Sequence, residues 1–333
     1  MIVVIGASGF IGTYLVDELL NEDREIVGTG RNPRAREYFE SRNVPLIPLD
    51  IGKKEQFDLL PRKKVDTVVL LSALVPANVV KYDPQDYVDI NLTGTVNTLE
   101  YCRKVGASKI INATSHSDVA ALWDCSRAIT EEDQRSLIYT GDHAVYGITK
   151  TASVDLVEHY HQQYGLQGIS LRLPAVYGYG PHGEIFVDGK RIVTGFKIFV
   201  YNALEGKPIE IWGDCRKLGR DLVYVKDTVA CFIGAIDSRT AHGLYNVGTG
   251  IRTTLEEEIK AVVKVFCPPG RQSQLIYRPD KPNNIHSYLY DISKAKRDLG
   301  YQVKYPLMAL VEDYYREMKA QRFPHLIARE NKG

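Results

Sequence analysis

Tyr146 and Lys150 stand four residues apart in the run Tyr146-Gly147-Ile148-Thr149-Lys150. In a helix that separation puts both side chains on one face. A phenol with a reference pKa near 10 is a poor base at neutral pH, but an adjacent ammonium and an oxidised nicotinamide both favour its phenolate. The same ammonium can hold the nicotinamide ribose. Ser115 follows the apolar run Ile110 to Ala113. A hydroxyl at the carboxyl edge of a strand can share a substrate oxygen with the phenol while hydride moves at the attached carbon. Each residue also has an ordinary use, Ser115 as a turn cap and the Tyr/Lys pair as a surface coincidence. Together they point to proton and hydride transfer.

Hydride chemistry needs a dinucleotide site, and the chain opens with one. Gly6-Ala7-Ser8-Gly9-Phe10-Ile11-Gly12 separates the apolar run Met1 to Ile5 from a helix-like stretch, Thr13 to Leu20. Gly6 permits a tight exit from the strand, Gly9 leaves room for a phosphate, and Gly12 lets the helix pack closely on the sheet. The helix start then offers N–H groups to the pyrophosphate. An acid at the end of the second strand would bind an adenosine ribose hydroxyl and repel a phosphate there. Here Gly30 takes that position and Arg31 follows, with Arg34 as a second cation. A guanidinium supplies a five-donor fork for phosphate, so NADP(H) is favoured, with NAD(H) as the alternative. Asp50 after the third strand is placed for the adenine amino group, with Ile51 beside the ring. Leu71, Ser72 and Ala73 are the small-residue passage where the cofactor crosses the sheet.

The positioning elements are legible as short β-branched runs: Ile2 to Ile5, Glu25 to Thr29, Leu46 to Leu49, Thr67 to Leu71, Lys109 to Ala113 and Gly168 to Leu173. Amphipathic stretches separate most of them, one of them following Asn91. The fold class expected is α/β, a Rossmann-like doubly wound parallel sheet with a smaller mixed α/β substrate lobe. The Gly/Pro-rich passage Gly178-Tyr179-Gly180-Pro181-His182-Gly183 marks departure from the sheet. Asp221 to Val225 reads as a strand before the helix Thr228 to Ile236, and later helices start at Thr253, Ser293 and Leu307. The expected division is 1–174 with about 218–244 for dinucleotide binding, and about 175–217 with 245–333 for the substrate lobe.

With 333 residues, 44% hydrophobic and 25% charged, the chain has a globular composition. A net charge of +1 gives no general reason to expect nucleic acid or an acidic membrane surface. Five scattered cysteines form neither a disulfide framework nor a metal-ligand spacing, so no metal is expected. No signal peptide and no membrane-spanning run is read, and a reduced cytoplasmic setting is the default.

The sequence resembles the extended short-chain dehydrogenase/reductase family, especially its NAD(P)-dependent nucleotide-sugar epimerases and dehydratases. The likeness lies in Gly6-x-x-Gly9-x-x-Gly12, Asp50-Ile51, Asn91-x-x-Gly94-Thr95, Ser115, Tyr146-x-x-x-Lys150, Leu171-Arg172-x-x-x-Val176-Tyr177-Gly178, Arg220-Asp221-x-Val223-Tyr224-Val225-x-Asp227, Tyr245-Asn246-Val247-Gly248 and Asp291-Ile292-Ser293-Lys294-Ala295-Lys296-x-x-Leu299-Gly300. It covers nearly the full chain. The resemblance implies hydrogen-bonding, acid/base and cofactor-positioning roles for Ser115, Tyr146 and Lys150. It implies that Asn91 orders the cofactor side and that Arg220 reaches a nucleotide-sugar pyrophosphate, against the plain alternative of a salt bridge. Phe10, Ile11 and Pro174 complete the candidate cofactor contacts.

Some positions depart from the family. Leu71 replaces a frequent histidine, and Ala175 stands where many relatives offer asparagine to the diphosphate, leaving Arg220, Arg278 and Lys281 as phosphate contacts. A 4,6-dehydratase follows its catalytic hydroxyl with an Asp-Glu pair, whereas Ser115 is followed by His116 and Ser117, with Asp118 displaced. The reading therefore narrows to an epimerase acting through a transient keto-sugar. The alternatives are an NADPH-dependent reductase of a keto-sugar nucleotide or another small carbonyl compound, and a non-catalytic cofactor-binding protein. A homodimer is expected, its seam formed by Thr93 to Cys102 and Tyr146 to Tyr160.

Overall fold

The computed structural model describes residues 1–327 apart from Asp142, His182, Asp188, Gly189 and Asn284. His182 of the Gly/Pro-rich passage and residues 328–333 of the expected substrate lobe lie outside the described residues. The first half alternates strands and helices: β1 (Ile2–Ile5), α1 (Phe10–Asn21), β2 (Ile26–Thr29), α2 (Ala35–Glu40), β3 (Leu46–Ile47), β4 (Thr67–Leu70), α3 (Pro84–Tyr87), α4 (Gly94–Val105), β5 (Lys109–Ser115), α5 (Ala144–Tyr164) and β6 (Gln167–Leu173). Then come β7 (Val176–Tyr177), β8 (Glu184–Val187), β9 (Lys190–Val193), α6 (Gly195–Glu205), β10 (Ile209–Trp212), β11 (Gly219–Asp221), β12 (Val223–Tyr224), α7 (Val225–Asp237), β13 (Gly243–Asn246), β14 (Arg252–Thr254), α8 (Leu255–Phe266), β15 (Leu275–Arg278), α9 (Ser293–Leu299) and α10 (Leu307–Lys319).

Seven strands make one parallel sheet in the order β13-β6-β5-β4-β1-β2-β3. Strand order reverses between β1 and β4, which places a ligand crevice at their carboxyl ends. The residues of β1 show why the sheet is covered twice. Ile2 and Val4 enter one core with Phe10, Leu15, Val229 and Phe232, while Val3 and Ile5 enter another with Leu99, Cys102 and Val157. Side chains alternate across a strand, so a run that is apolar throughout needs helices on both faces. The remaining strands pair in twos: β7 with β12, β8 with β9, β10 with β15, and β11 with β14.

Several boundaries differ from those expected. The third strand stops at Ile47, although Leu49 is buried. The helical path near Asn91 begins earlier, at Pro84, where the Asp83 side chain accepts the Gln85 N–H at 2.9 Å. Val88–Thr93 then forms a π-helical turn containing Asn91. The stretch Asp221 to Val225 divides into β11, β12 and the start of α7. Its Asp221 carboxylate is occupied in turning the chain, accepting N–H groups of Thr249 (2.6 Å) and Gly250 (3.0 Å). Thr253 lies in β14, and Thr254 caps α8 reciprocally with Glu257.

A buried ion pair ties the chain after β5 to β6. Arg172 is 1% exposed, and its Nη2 lies 2.8 Å from Asp118 Oδ2. Its Nη1 donates to Asn246 Oδ1 at 2.9 Å and to the Thr130 carbonyl at 3.3 Å. Removing the carboxylate leaves a buried guanidinium short of a countercharge. Asp118→Ala is therefore expected to cost about 3–5 kcal/mol in urea unfolding at neutral pH. A loss below about 1 kcal/mol, the scale of an exposed pair, would mean that the pair does not hold these segments together.

Candidate active site

At the end of β1 the backbone itself shapes the first part of the site. Gly6 has φ 95°, and a Cβ there would come within 2.7 Å of Ser72 N. A Cβ on Gly12 would lie 2.3 Å from the Gly6 carbonyl oxygen, so only glycine lets α1 start this close to the turn. Around Gly9 the nearest atom to such a Cβ is the Gly6 oxygen at 3.2 Å, leaving that side of the turn open. No side chain caps α1 and its first turn contains no acid. These features suit a dinucleotide pyrophosphate: a glycine cradle that a Cβ would fill, at a helix start that favours an anion.

Ser115 is the last residue of β5, and α5 carries Tyr146 and Lys150 past it. Two hydroxyls fix the approach of that helix: Thr114 donates to the Lys150 carbonyl at 3.1 Å, and Ser153 donates to the same oxygen at 2.7 Å. Burial raises the Tyr146 phenol above its ordinary 10, while a hydrogen bond from Ser115 pulls it back. Burial lowers the Lys150 ammonium to about 8. The structure thus brings Ser115 and Tyr146 together and buries Lys150 one turn further along α5. It adds Ser117, whose N–H lies 3.2 Å and whose hydroxyl lies 2.9 Å from Ser115 Oγ. Ser115 caps the 3-10 turn His116–Leu122 by accepting the Ser117 N–H, so the spacing of a capping residue was the available signal for Ser117.

His116 points elsewhere. Its Nδ1 lies 2.9 Å from the Tyr290 hydroxyl, and its ring packs against Trp123 at 4.7 Å and Tyr288 at 5.0 Å. Burial, reinforced by Arg172, pushes it down to about 3, so it is neutral at ordinary pH.

Asn91 grips the passage expected to border the cofactor. Its Oδ1 accepts the Leu74 N–H at 2.7 Å, and its Nδ2 donates to the Leu74 carbonyl at 3.0 Å. Nδ2 also lies 3.4 Å from Thr149 Oγ1, next to Lys150. One amide thereby fastens the Leu71-Ser72-Ala73-Leu74 passage to α5. Leu71 and Ser72 both donate their N–H groups to the Ile5 carbonyl, at 2.9 and 3.0 Å, setting this passage behind the glycine turn.

The residues expected to meet adenosine also contact one another and their neighbours. Asp50 is paired with Arg31, Oδ2 to Nη1 3.6 Å, and its Oδ1 accepts the Gly52 N–H at 3.1 Å. Ile51 is buried under α4, in the space that a Cβ on Gly94 would need. Arg31 is 65% exposed, and Arg34 stands at the start of α2. Ser8, which sequence reasoning passed over, fills the place beside Gly30: a Cβ on Gly30 would fall 1.9 Å from Ser8 Oγ. Its position inside the glycine turn was the available signal. Phe10 lies beneath the Gly/Pro-rich passage, close enough that Cβ atoms on Gly178 and Gly180 would strike its ring at 2.7 and 2.6 Å. Pro174 is buried between β6 and β7.

Arg220 in β11, the expected pyrophosphate contact, forms a salt bridge with the buried Glu258, Nη2 to Oε2 3.1 Å, and its guanidinium lies 5.7 Å from the Tyr177 ring centroid. Burial raises Tyr288 to about 12 against the opposing charge of Arg220, and its hydroxyl meets the Ala175 backbone. Arg278 and Lys281 do not join this group. Both pair with Glu210, at 3.5 and 2.8 Å, and Lys281 lies over Trp212. Among the described residues no cluster of three His, Cys, Asp or Glu could hold a metal ion, and no helix is long and apolar enough to cross a membrane.

A doubly wound sheet, a glycine turn at its switch point and a Tyr-x-x-x-Lys helix beside β5 are the architecture of an extended short-chain dehydrogenase/reductase enzyme. Within that class the chain belongs to the NAD dependent epimerase/dehydratase family, whose model matches residues 2–248. It is 28% identical over 316 residues to UDP-glucose 4-epimerase of Mycolicibacterium smegmatis, covering 93% of this chain and 94% of that one. It is 26% identical over 322 residues to UDP-glucuronic acid decarboxylase 1 of Arabidopsis thaliana, covering 92% and 67%. The structure of UDP-glucuronic acid 4-epimerase from Bacillus cereus with UDP-glucuronic acid and NAD is similar at a TM-score of 0.75 and 25% identity, over 96% of this chain and 99% of that one.

The depressed Lys150 pKa yields a prediction with a definite sign. Lys150 gives up its proton more readily in the folded protein, at about 8 against 10.5 unfolded, so its charge opposes folding below pH 8 and this penalty fades as pH rises toward 10.5. Lys150→Met is expected to raise the urea midpoint at pH 7, with a gap over wild type that shrinks by pH 9–10. An equal or lower midpoint at pH 7 would contradict a desolvated ammonium.

Proposed function

We propose that the protein is a nucleotide-sugar epimerase that works through a transient keto-sugar. The observation that carries this reading is the hydrogen bond between Ser115 and Tyr146 at the carboxyl end of β5, with Lys150 buried one turn along α5. A bound nicotinamide supplies the hydride acceptor and returns the hydride afterwards. Tyr146 takes the proton of a sugar hydroxyl as the carbon beneath it becomes a carbonyl. Ser115 donates a hydrogen bond to that oxygen and steadies it in both states. Lys150, when charged, draws the phenol toward phenolate. After the keto-sugar turns over in the pocket, Tyr146 returns the proton to the same oxygen, now on the opposite configuration.

The relatives named above act on UDP-sugars according to their names, which supports a nucleotide-sugar substrate here. Asp118 supports epimerisation over dehydration, since its carboxylate is held by Arg172. A homodimer through α4 and α5, where Ile148 stands 41% exposed, belongs to the same reading and is checked by sedimentation at several protein concentrations. Incubating the protein with UDP-, GDP- and dTDP-sugars should interconvert epimers without net cofactor consumption. Tyr146→Phe should lower that rate by about 10²–10⁴-fold. Stoichiometric, substrate-dependent loss of NADPH with no epimer formed would replace the epimerase by a reductase.

NADP(H) preference is part of the proposal, supported by Arg31 and by the occupation of the Gly30 side by Ser8. An acid at position 30 meets Ser8 Oγ before it can meet a ribose. Arg31→Ala is expected to weaken NADPH binding about tenfold or more while leaving NADH within about threefold, as loss of a phosphate-directed charge implies. Gly30→Asp should bind NADH well only when Ser8→Gly accompanies it. Equal NADPH affinity in wild type and Arg31→Ala would defeat the preference.

A further inference from the structure

The C-terminal end of the described chain is fastened to the cofactor's adenosine side, three strands away from β5. Phe323 takes a left-handed backbone, φ 56°, and Pro324–Leu326 then makes a single 3-10 turn. That reversal lays Phe323, His325 and Leu326, all buried, against α1 and α2. The Phe323 ring meets Tyr14 edge-on at 4.8 Å, and the His325 ring lies 4.6 Å from Tyr38. Behind them Arg322 pairs with Asp17 of α1 at 2.5 Å and Glu317 of α10 at 2.6 Å.

His325 touches both structures that frame the adenosine end. Its Nε2 lies 3.1 Å from Thr13 Oγ1, and Thr13 in turn donates to the Ala7 carbonyl inside the glycine turn at 3.3 Å. With the Thr13 proton used on Ala7, His325 Nε2–H is the donor to Thr13. The His325 carbonyl accepts Asn32 Nδ2 at 3.1 Å, and Asn32 Oδ1 accepts the Arg34 N–H at 3.0 Å. The loop Arg31-Asn32-Pro33-Arg34 is thus hooked to the tail, and the tail to the first turn of α1.

We propose that His325 is a positioning residue for dinucleotide binding. It holds the Arg31–Arg34 loop and the start of α1 in fixed relation without contacting the reacting atoms. A loop ordered in advance does not have to be ordered by the ligand, so the contact raises cofactor affinity. The proposal rests on the glycine turn and the Arg31 loop being the cofactor site.

The test is fluorescence titration of the full chain with NADPH and with NADH, beside thermal unfolding. His325→Ala is expected to raise the Kd of whichever dinucleotide binds by about tenfold. His325→Gln, whose amide N–H can still reach Thr13, should restore it to within about threefold. Thr13→Val, near in shape but without the hydroxyl, should weaken binding as His325→Ala does, and the double variant should lose little more than either. If His325→Ala does not fold, Thr13→Val decides alone. Unchanged Kd in the folded variants, with only a lowered melting temperature, would overturn the positioning role. Wild type that binds neither dinucleotide would overturn the cofactor reading and the inference with it.

Discussion

Helix α1 rests directly on the backbone of the turn that precedes it. There is no room for even a methyl group between Gly12 and the Gly6 carbonyl, or between Gly6 and the backbone of Ser72. This backbone-to-backbone contact aims the start of α1 across the end of β1, and other parts of the site are placed relative to it. The Leu71–Leu74 passage borders it through the Ile5 carbonyl, Gly178 and Gly180 rest on Phe10, and the tail reaches it through Thr13. Polar bonds trim these positions, but steric exclusion sets them.

From this turn to Lys150 the site is a relay of hydroxyls and amides rather than of charges. Asn91 joins the cofactor passage to Thr149, Thr114 and Ser153 hold the Lys150 carbonyl, and Ser117 meets Ser115. Neutral hydrogen bonds suit the proposed chemistry, in which the ammonium stays unneutralised. A carboxylate beside Lys150 would hold its proton more firmly and compete for the charge that the phenol requires. The acids of the region are instead committed away from it, Asp118 to Arg172 and Glu258 to Arg220.

What could be read in the sequence was what depends on period and spacing. Continuous apolar runs announced strands covered on both faces, the three glycines located the turn, and the i to i+4 pair put Tyr146 and Lys150 on one side of α5. Less legible were features that depend on which distant segment arrives. The Arg31–Asp50 pair, the burial of Ile51 under Gly94 and the diversion of Arg278 and Lys281 to Glu210 are tertiary choices with no local signature. The π-helical turn at Asn91 escaped for a similar reason. Its Asn91 side chain is bonded to a loop that is distant in sequence.

That grip has a consequence for how the chain can vary. Asn91 offers Leu74 one acceptor and one donor, the same pair that a neighbouring strand would offer, so a side chain continues the ladder where β4 has ended. A ladder reads backbone atoms and is indifferent to what projects from them, which accommodates Leu71 in place of a histidine. It is strict about arrival: one residue added or lost between Leu70 and Leu74 would present the wrong peptide to the amide. This contact holds the passage to its count rather than to its letters.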